Sequence, residues 1–115
     1  MQQNEFEALL KEIGQIESLP QALELLKASE EEEVAQAAES LTGQFGLAEV
    51  EGEKRIYHIT TQADESGEEK EFVEHVMNEG DNLIKFAAWF FETFFEIKPK
   101  DTYKAAGKTY QQPKR

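Results

Sequence analysis

The sequence predicts an α+β fold that is mostly helical, with three helices, a β-hairpin and two C-terminal helices. Apolar residues recur at helical spacing over residues 6–45 and 83–97, whereas residues 47–61 are rich in β-forming residues. A chain of 115 residues, 39% apolar and 31% charged, has the composition of one globular domain with a modest core. These observations favour a single compact unit over a disordered or fibrous chain.

The first three helices are predicted from amphipathic stripes and from residues that begin or end helices. The first helix ends near Gly14. The second begins at Ser18, with Pro20 in the first turn, where a missing N–H is tolerated. The third opens on a capping box of Ser29 and Glu32. The three apolar stripes comprise Phe6, Leu9, Leu10 and Ile13, then Leu19, Ala22, Leu23 and Leu26, then Val34, Ala38, Leu41 and Phe45.

The pattern then changes to that of a hairpin. Strands are predicted near residues 47–50 and 54–61, on either side of a turn at Glu51 and Gly52. The polar stretch "ADESGEE" follows as a loop.

Two further helices are predicted after this loop. Ser66 and Glu69 form a second capping box, which predicts a helix to Glu79 with Phe72, Val73, Val76 and Met77 facing inward. Asp81 is the predicted cap of a final helix over about residues 82–97, and Pro99 terminates it.

The stretch "LTGQFGLAEVEGEKRIYHITTQADE" resembles the wing of winged-helix regulators of the PadR and MarR type. The resemblance rests on Gly46-Leu47, the turn at residues 51–54, Tyr57 and Ile59-Thr60. It covers roughly residues 5–80 and implies a winged-helix fold in which the helix after the wing serves dimerisation. The alternative is a generic α+β domain with one hairpin.

The helix that matches the recognition helix of that family starts "SEEEEVAQAAES" and contains no Lys or Arg. Proteins that read DNA need cations and hydrogen-bond donors at this position. If the fold is winged-helix, we therefore expect that direct DNA reading is lost or that the helix serves protein contacts.

The charge is divided unevenly along the chain. Residues 1–97 carry 23 acidic and six basic residues, while residues 98–115 carry six basic residues and one acidic residue. We predict that residues 1–97 form a single acidic domain and that residues 98–115, which lack large aliphatic side chains, form a basic flexible tail. An acidic body repels nucleic acid and anionic membrane and attracts basic surfaces, although solubility alone also explains such a charge.

The sequence favours a non-enzymatic protein without cofactor or metal. It contains no cysteine, no Gly-rich phosphate loop and no nucleophile motif, and His58 and His75 lack the spacing of metal ligands. "MQQNEFEALL" lacks a basic region followed by an apolar run, so we expect no signal peptide. The absence of cysteine fits a reducing environment, and the expected location is cytoplasmic.

Two acidic runs are candidate partner-binding segments. Glu30, Glu31, Glu32 and Glu33 exceed what a helix N-terminus needs, since one or two acids suffice to complement the helix dipole. With Glu68, Glu69 and Glu71, they form a spaced array of carboxylates that could imitate a phosphate backbone. This pattern predicts a DNA mimic that inhibits a nucleic-acid-binding protein.

The stretch "IKFAAWFFETFFEI" holds five of the eight phenylalanines and the only tryptophan. Its apolar residues cover an arc of about 200° of the predicted helix, wider than a core-facing stripe. The run is too short and too charged to span a membrane. It predicts a helix packed on two sides, with Trp89 within the charged stripe as a partner contact and a homodimer interface formed by Leu83, Phe86, Phe90, Phe91, Phe94 and Phe95. The alternative is the central helix of a small domain.

We therefore predict a non-catalytic protein-binding module, a homodimer, that docks on a basic surface of another protein and inhibits or regulates it. Two other functions remain open. One is a winged-helix transcription regulator that contacts DNA through Lys54, Arg55 and the basic tail. The other is a structural subunit of a larger assembly.

Overall fold

The computed structural model describes residues 2–109, which form five helices and one three-stranded sheet. The helices are α1 (Gln3–Gly14), α2 (Leu19–Lys27), α3 (Glu32–Ser40), α4 (Ile84–Phe95) and α5 (Pro99–Ala105). The strands are β1 (Phe45–Val50), β2 (Glu53–Ala63) and β3 (Glu69–Asn78). The prediction of an α+β fold is confirmed.

The chain divides into two compact units. Residues 2–39 and 82–109 belong to a helical unit, and Ser40–Asp81 forms a sheet unit. The prediction of a single domain over residues 1–97 stays a prediction.

The helical unit is organised around aromatic side chains of α4. Phe86, Phe90 and Phe91 have no exposed surface. The ring of Phe6 on α1 meets the ring of Phe91 edge-to-face, with 4.8 Å between centroids. Such aromatic pairs add to the stabilisation that burial of their surface supplies. The wide apolar arc of α4 is thus largely buried within the folded chain.

The buried face of α1 and the start of α2 agree with the sequence-based predictions. The predicted stripe of α1 is confirmed at Phe6, Leu10 and Ile13, which are buried. The Ser18 side chain accepts a hydrogen bond from the Gln21 backbone N–H at 3.4 Å, so Ser18 is the N-cap of α2.

The sheet unit is an antiparallel meander in the order β1-β2-β3. The predicted first hairpin is confirmed, because Val50 pairs with Glu53 across the two-residue turn. Both turn residues have positive φ, 53° at Glu51 and 82° at Gly52, which the right-handed twist of a two-residue hairpin requires.

The predicted helix over residues 66–79 is wrong, because most of this segment forms strand β3 (Glu69–Asn78). Phe72, Val73, Val76 and Met77 have a spacing that fits a helix, but β-branched and aromatic residues also suit a strand. This segment pairs with β2 from Ala63↔Glu69 to Arg55↔Asn78, and the pairing selects the strand over the helix. An extra residue of β3, Val76, forms a bulge, since Ile56 pairs with Met77 and Tyr57 pairs with His75.

The loop between β2 and β3 explains why the predicted capping box at Ser66 does not start a helix. Asp64 Oδ1 accepts hydrogen bonds from the backbone N–H groups of Ser66 at 2.9 Å and Glu68 at 3.0 Å, and from the Ser66 hydroxyl at 2.6 Å. These bonds hold the pKa of Asp64 below its ordinary value, the hydroxyl contributing most. These hydrogen bonds stabilise a turn between β2 and β3, and Ser66 is part of this turn.

Two predictions about the C-terminal helices are also corrected. Asp81 does not cap α4, since its carboxylate accepts from the Asn78 N–H, while Asn82 Oδ1 accepts from the Ile84 N–H at 2.8 Å. Residues 99–105 of the predicted flexible tail form α5, in which Thr102 is buried. Pro99 begins this helix, because its fixed φ suits the first helical turn. The last part of the predicted tail, residues 110–115, lies outside the described residues.

Candidate functional site

The helical unit contains a groove lined by carboxylates, which we call the acidic groove. It has a volume of about 320 Å³. Glu30 and Glu31 come from the segment that precedes α3, and Leu25 from α2. Its full lining is Glu5, Ala8, Leu9, Glu12, Leu25, Ala28, Ser29, Glu30 and Glu31. The lining thus combines four carboxylates with the apolar side chains of Leu9 and Leu25, and none of its residues is basic.

Local structure positions these side chains. Glu5, Ala8, Leu9 and Glu12 are three, four and seven residues apart on α1, so they share one face of that helix. After α2 ends at Lys27, the Ser29 hydroxyl accepts a hydrogen bond from the Glu31 backbone N–H at 3.1 Å. This turn places Glu30 and Glu31 beside α1.

Glu31 lies close to another carboxyl group, that of Glu5. A hydrogen bond with the Glu5 carboxyl raises the pKa of Glu31 above its ordinary value, and desolvation and the charge of Glu5 act in the same direction. Two carboxyl groups that share one site cannot both be ionised without repulsion. The groove therefore favours any cation, or a proton, that enters it.

We expect the pKa of the Glu31 carboxyl group to lie above its ordinary value, and we expect Glu5→Gln to lower this pKa. A glutamine at position 5 removes the like charge and can donate a hydrogen bond to the Glu31 carboxylate. Because the pKa is raised in the folded state, the Glu5–Glu31 contact should favour folding more as the pH falls through that pKa. Carbon-13 NMR titration of the side-chain carboxyl groups measures this shift. An unshifted Glu31 would contradict the contact.

The two predicted acidic runs belong to different units. Glu30 and Glu31 line the acidic groove, and Glu32 and Glu33 form the first turn of α3. In the sheet unit, Glu68 precedes β3 and Glu69 and Glu71 lie on it. All three are exposed. We call residues 60–72, the part of the β2–β3 hairpin that extends beyond the pairing with β1, the acidic arm.

The structure buries most of the predicted aromatic interface. Leu83, Phe86, Phe90 and Phe91 are buried, and Phe95 is half-buried. Trp89 is only 9% exposed, so its predicted place on a charged surface is wrong. Phe94, at 37% exposed, is the most accessible residue of the predicted interface. A homodimer through α4 stays a prediction that rests mainly on Phe94.

Sequence reasoning missed exposed large apolar side chains on the sheet, which lie on both of its faces. Leu47, Phe72 and Val73 are 57%, 51% and 55% exposed. The β-branched and aromatic residues of the stretch 69–78 could have indicated a strand. In a strand, successive side chains face opposite sides of the sheet, so Phe72 and Val73 could not both face one core. A helical interpretation assigned Phe72 and Val73 to a core.

The predicted DNA-contacting residues are paired with acids. Lys54 Nζ lies 3.8 Å from a Glu79 carboxylate oxygen, and the Arg55 guanidinium lies 3.8 Å from Glu53. Lys98, Lys100 and Lys104 line a second groove, of about 920 Å³, together with Glu7, Glu96 and Asp101. The ion pairs of Lys54 and Arg55 weaken their attraction to phosphate.

The two histidines lie on strands and bond to amides. Nε2 of His58 is 2.9 Å from Gln44 Oε1, and burial lowers the pKa of His58. His75, predicted on a helix, lies on β3, where its Nε2 is 3.0 Å from Asn78 Oδ1. Over residues 2–109, no three His, Asp or Glu side chains are placed to hold a metal ion.

The chain matches no family model, no curated protein and no solved structure. The resemblance to the winged-helix wing therefore stays a prediction. None of the helices in the described part of the chain is long and apolar enough to cross a membrane.

Proposed function

We propose that this protein is a non-catalytic interaction module of the cytoplasm whose acidic groove binds a basic segment of another protein. The observation that carries the proposal is the cluster of Glu5, Glu12, Glu30 and Glu31 around Leu9 and Leu25. The raised pKa of Glu31 supports it, because the crowded carboxyl groups gain most from a cation placed between them.

The composition of the groove favours a lysine- or arginine-containing segment over a free metal ion. Lysine and arginine carry aliphatic stems that pack on apolar side chains while the charged end contacts carboxylates. Leu9 and Leu25 offer such a surface beside Glu12 and Glu30. A volume of about 320 Å³ is at the lower end of ligand-pocket sizes and suits a few side chains of a docked segment.

The wider charge supports a partner that itself binds nucleic acid. Residues 1–97 carry 23 acidic and six basic residues, so the folded chain attracts positively charged surfaces. Glu32 and Glu33 continue the acidic run from the groove onto α3, and the acidic arm adds Glu68, Glu69 and Glu71. By occupying a partner's basic surface, the protein would compete with DNA or RNA and so act as an inhibitor or regulator.

The proposal is tested first with defined peptides. We expect a synthetic peptide rich in lysine and leucine to bind the full chain, with an affinity that falls as salt is raised, because the attraction is electrostatic. The control peptide carries glutamate at each lysine position and should not bind. Fluorescence anisotropy of labelled peptides at low and high salt measures both.

Competition with nucleic acid tests the inhibitory role. A partner captured from a nuclease-treated lysate and released by salt is purified, and its complex with DNA or RNA is followed by gel mobility shift. We expect the complex to dissociate as this protein is added. A complex that persists would contradict the proposed inhibition, and equal binding of both peptides would contradict the basic specificity of the groove.

A further inference from the structure

Strand β3 forms an edge of the three-stranded sheet and is accessible along most of its length. The sheet formed by the described residues has the order β1-β2-β3, so only β2 pairs with β3. Every residue from 69 to 75 is exposed, including Phe72 and Val73, which are among the most exposed large apolar residues. An accessible edge strand is a template for pairing with another strand, and soluble proteins usually protect such edges with charges or bulges.

The charges of β3 oppose most ways of pairing this edge with itself. In a two-fold symmetric antiparallel pair, the residue on the axis lies opposite its own copy. Centring the pair on Lys70, Glu71 or Glu74 would therefore place identical charges opposite each other, which is destabilising. Centring it on Val73 would place Glu69 opposite Met77 and carry the pairing across the bulge at Val76.

One register avoids these conflicts. Centred on Phe72, it places Lys70 opposite Glu74 of the second copy, and Glu69 opposite His75. Each of these pairs occurs twice, and the two Phe72 side chains lie opposite each other. Lys70, Phe72 and Glu74 point to the same face of the sheet because they alternate along the strand. This register uses only residues 69–75, the regular part of β3 before the bulge.

We propose that the protein forms a symmetric dimer in which β3 pairs antiparallel with β3 of a second copy, centred on Phe72. The pairing would join two three-stranded sheets into one six-stranded sheet and cover the exposed apolar side chains of residues 72 and 73. The charges of β3 disfavour the other registers and disfavour pairing with edge strands of other proteins. They therefore make the pairing centred on Phe72 specific. The occupant of the edge is thus a second copy of this chain, and the proposal is independent of the acidic groove.

Charge exchange at positions 70 and 74 tests the proposal in the full chain. We expect Lys70→Glu and Glu74→Lys each to weaken the dimer about tenfold, because each places like charges opposite each other twice. The double variant Lys70→Glu/Glu74→Lys should restore the wild-type dissociation constant. Sedimentation velocity over a range of micromolar concentrations measures the dissociation constants, and far-UV circular dichroism confirms folding.

The double variant also controls for contacts within the chain. Lys70 Nζ lies 3.5 Å from Asp64, and this ion pair is lost in both Lys70→Glu and the double variant. Recovery by the double variant therefore assigns the effect to the contact between copies. The proposal would be overturned by any of three results. These are a monomeric wild type, opposite effects of the two single reversals on the dissociation constant, or a double variant that does not regain the wild-type constant.

The register is tested independently by disulfide cross-linking, since the chain has no cysteine of its own. The proposed pairing places Glu71 opposite Val73 of the second copy. We expect a mixture of Glu71→Cys and Val73→Cys chains to form a covalent dimer on mild oxidation, and each variant alone to form far less. Equal cross-linking in the three samples would contradict the register.

Discussion

Replacing Phe90 with alanine should lower the free energy of unfolding by about 3–5 kcal/mol. The Phe90 side chain has no exposed surface and lies beside the rings of Phe91 and Phe94, with centroid distances of 5.2 Å in both pairs. Alanine would remove this apolar surface from the core and leave a cavity that the neighbouring rings fill only in part. Since domains are stable by about 5–15 kcal/mol, this loss would unfold a marginal protein.

Phe94→Ala is the matched control, one helical turn along α4. Phe94 is 37% exposed, so its truncation should cost less than that of Phe90. Urea denaturation followed by the fluorescence of Trp89 measures both, because this single tryptophan is nearly buried and unfolding exposes it. If Phe94→Ala were the more destabilising change, the burial of Phe90 within the folded chain would be refuted. Sedimentation of Phe94→Ala also tests the predicted dimer through α4.

The sequence was sufficient where a structure depends on neighbours along the chain. The stripe of α1 and the Ser18 cap of α2 are set within one or two helical turns. The turn at Glu51 and Gly52 requires two residues with positive φ, and the flanking β-formers mark the strands. Such signals are local, so they can be derived without knowledge of distant contacts.

The sequence was insufficient where distant pairing decides. Residues 69–78 fit a helix or a strand, and β2 selects the strand by pairing along its length. Residues 99–105 lack an amphipathic stripe of large apolar side chains, and only a short helix with buried Thr102 forms there. The sequence shows a wide apolar arc on α4, but tertiary packing decides whether the chain itself or a partner covers it. The burial of Trp89 extends the covered surface beyond the predicted arc.

Only part of the acidic groove could be predicted from the sequence. The run from Glu30 to Glu33 is visible in the sequence as a surplus of charge at a helix start. Glu5, Glu12 and Leu25 were not predicted, because the groove forms only when α1 and the segment before α3 meet. A sequence shows how much charge a segment carries, whereas packing determines which carboxyl groups crowd together.

Reversing the charge of Glu30 and Glu31 should weaken binding of the basic peptide about 10- to 100-fold at low salt, mainly through a slower association rate. The double variant Glu30→Lys/Glu31→Lys places two ammonium groups in the acidic groove, where they repel an incoming lysine. Folding should be preserved, because a lysine at position 31 replaces the repulsive contact with Glu5 by an attractive one. Stopped-flow fluorescence of the labelled peptide measures the association rates.

The control is Glu68→Lys/Glu69→Lys in the acidic arm, which changes the net charge by the same amount on exposed residues of the sheet unit. If the groove binds the peptide, the arm variant should slow association only slightly, because neither Glu68 nor Glu69 lines the groove. Equal losses in the two variants would mean that the overall negative charge attracts the peptide and that the groove does not recognise it. A loss confined to the arm variant would move the binding site to β3, where a bound peptide would compete with a second copy of the chain for the same edge.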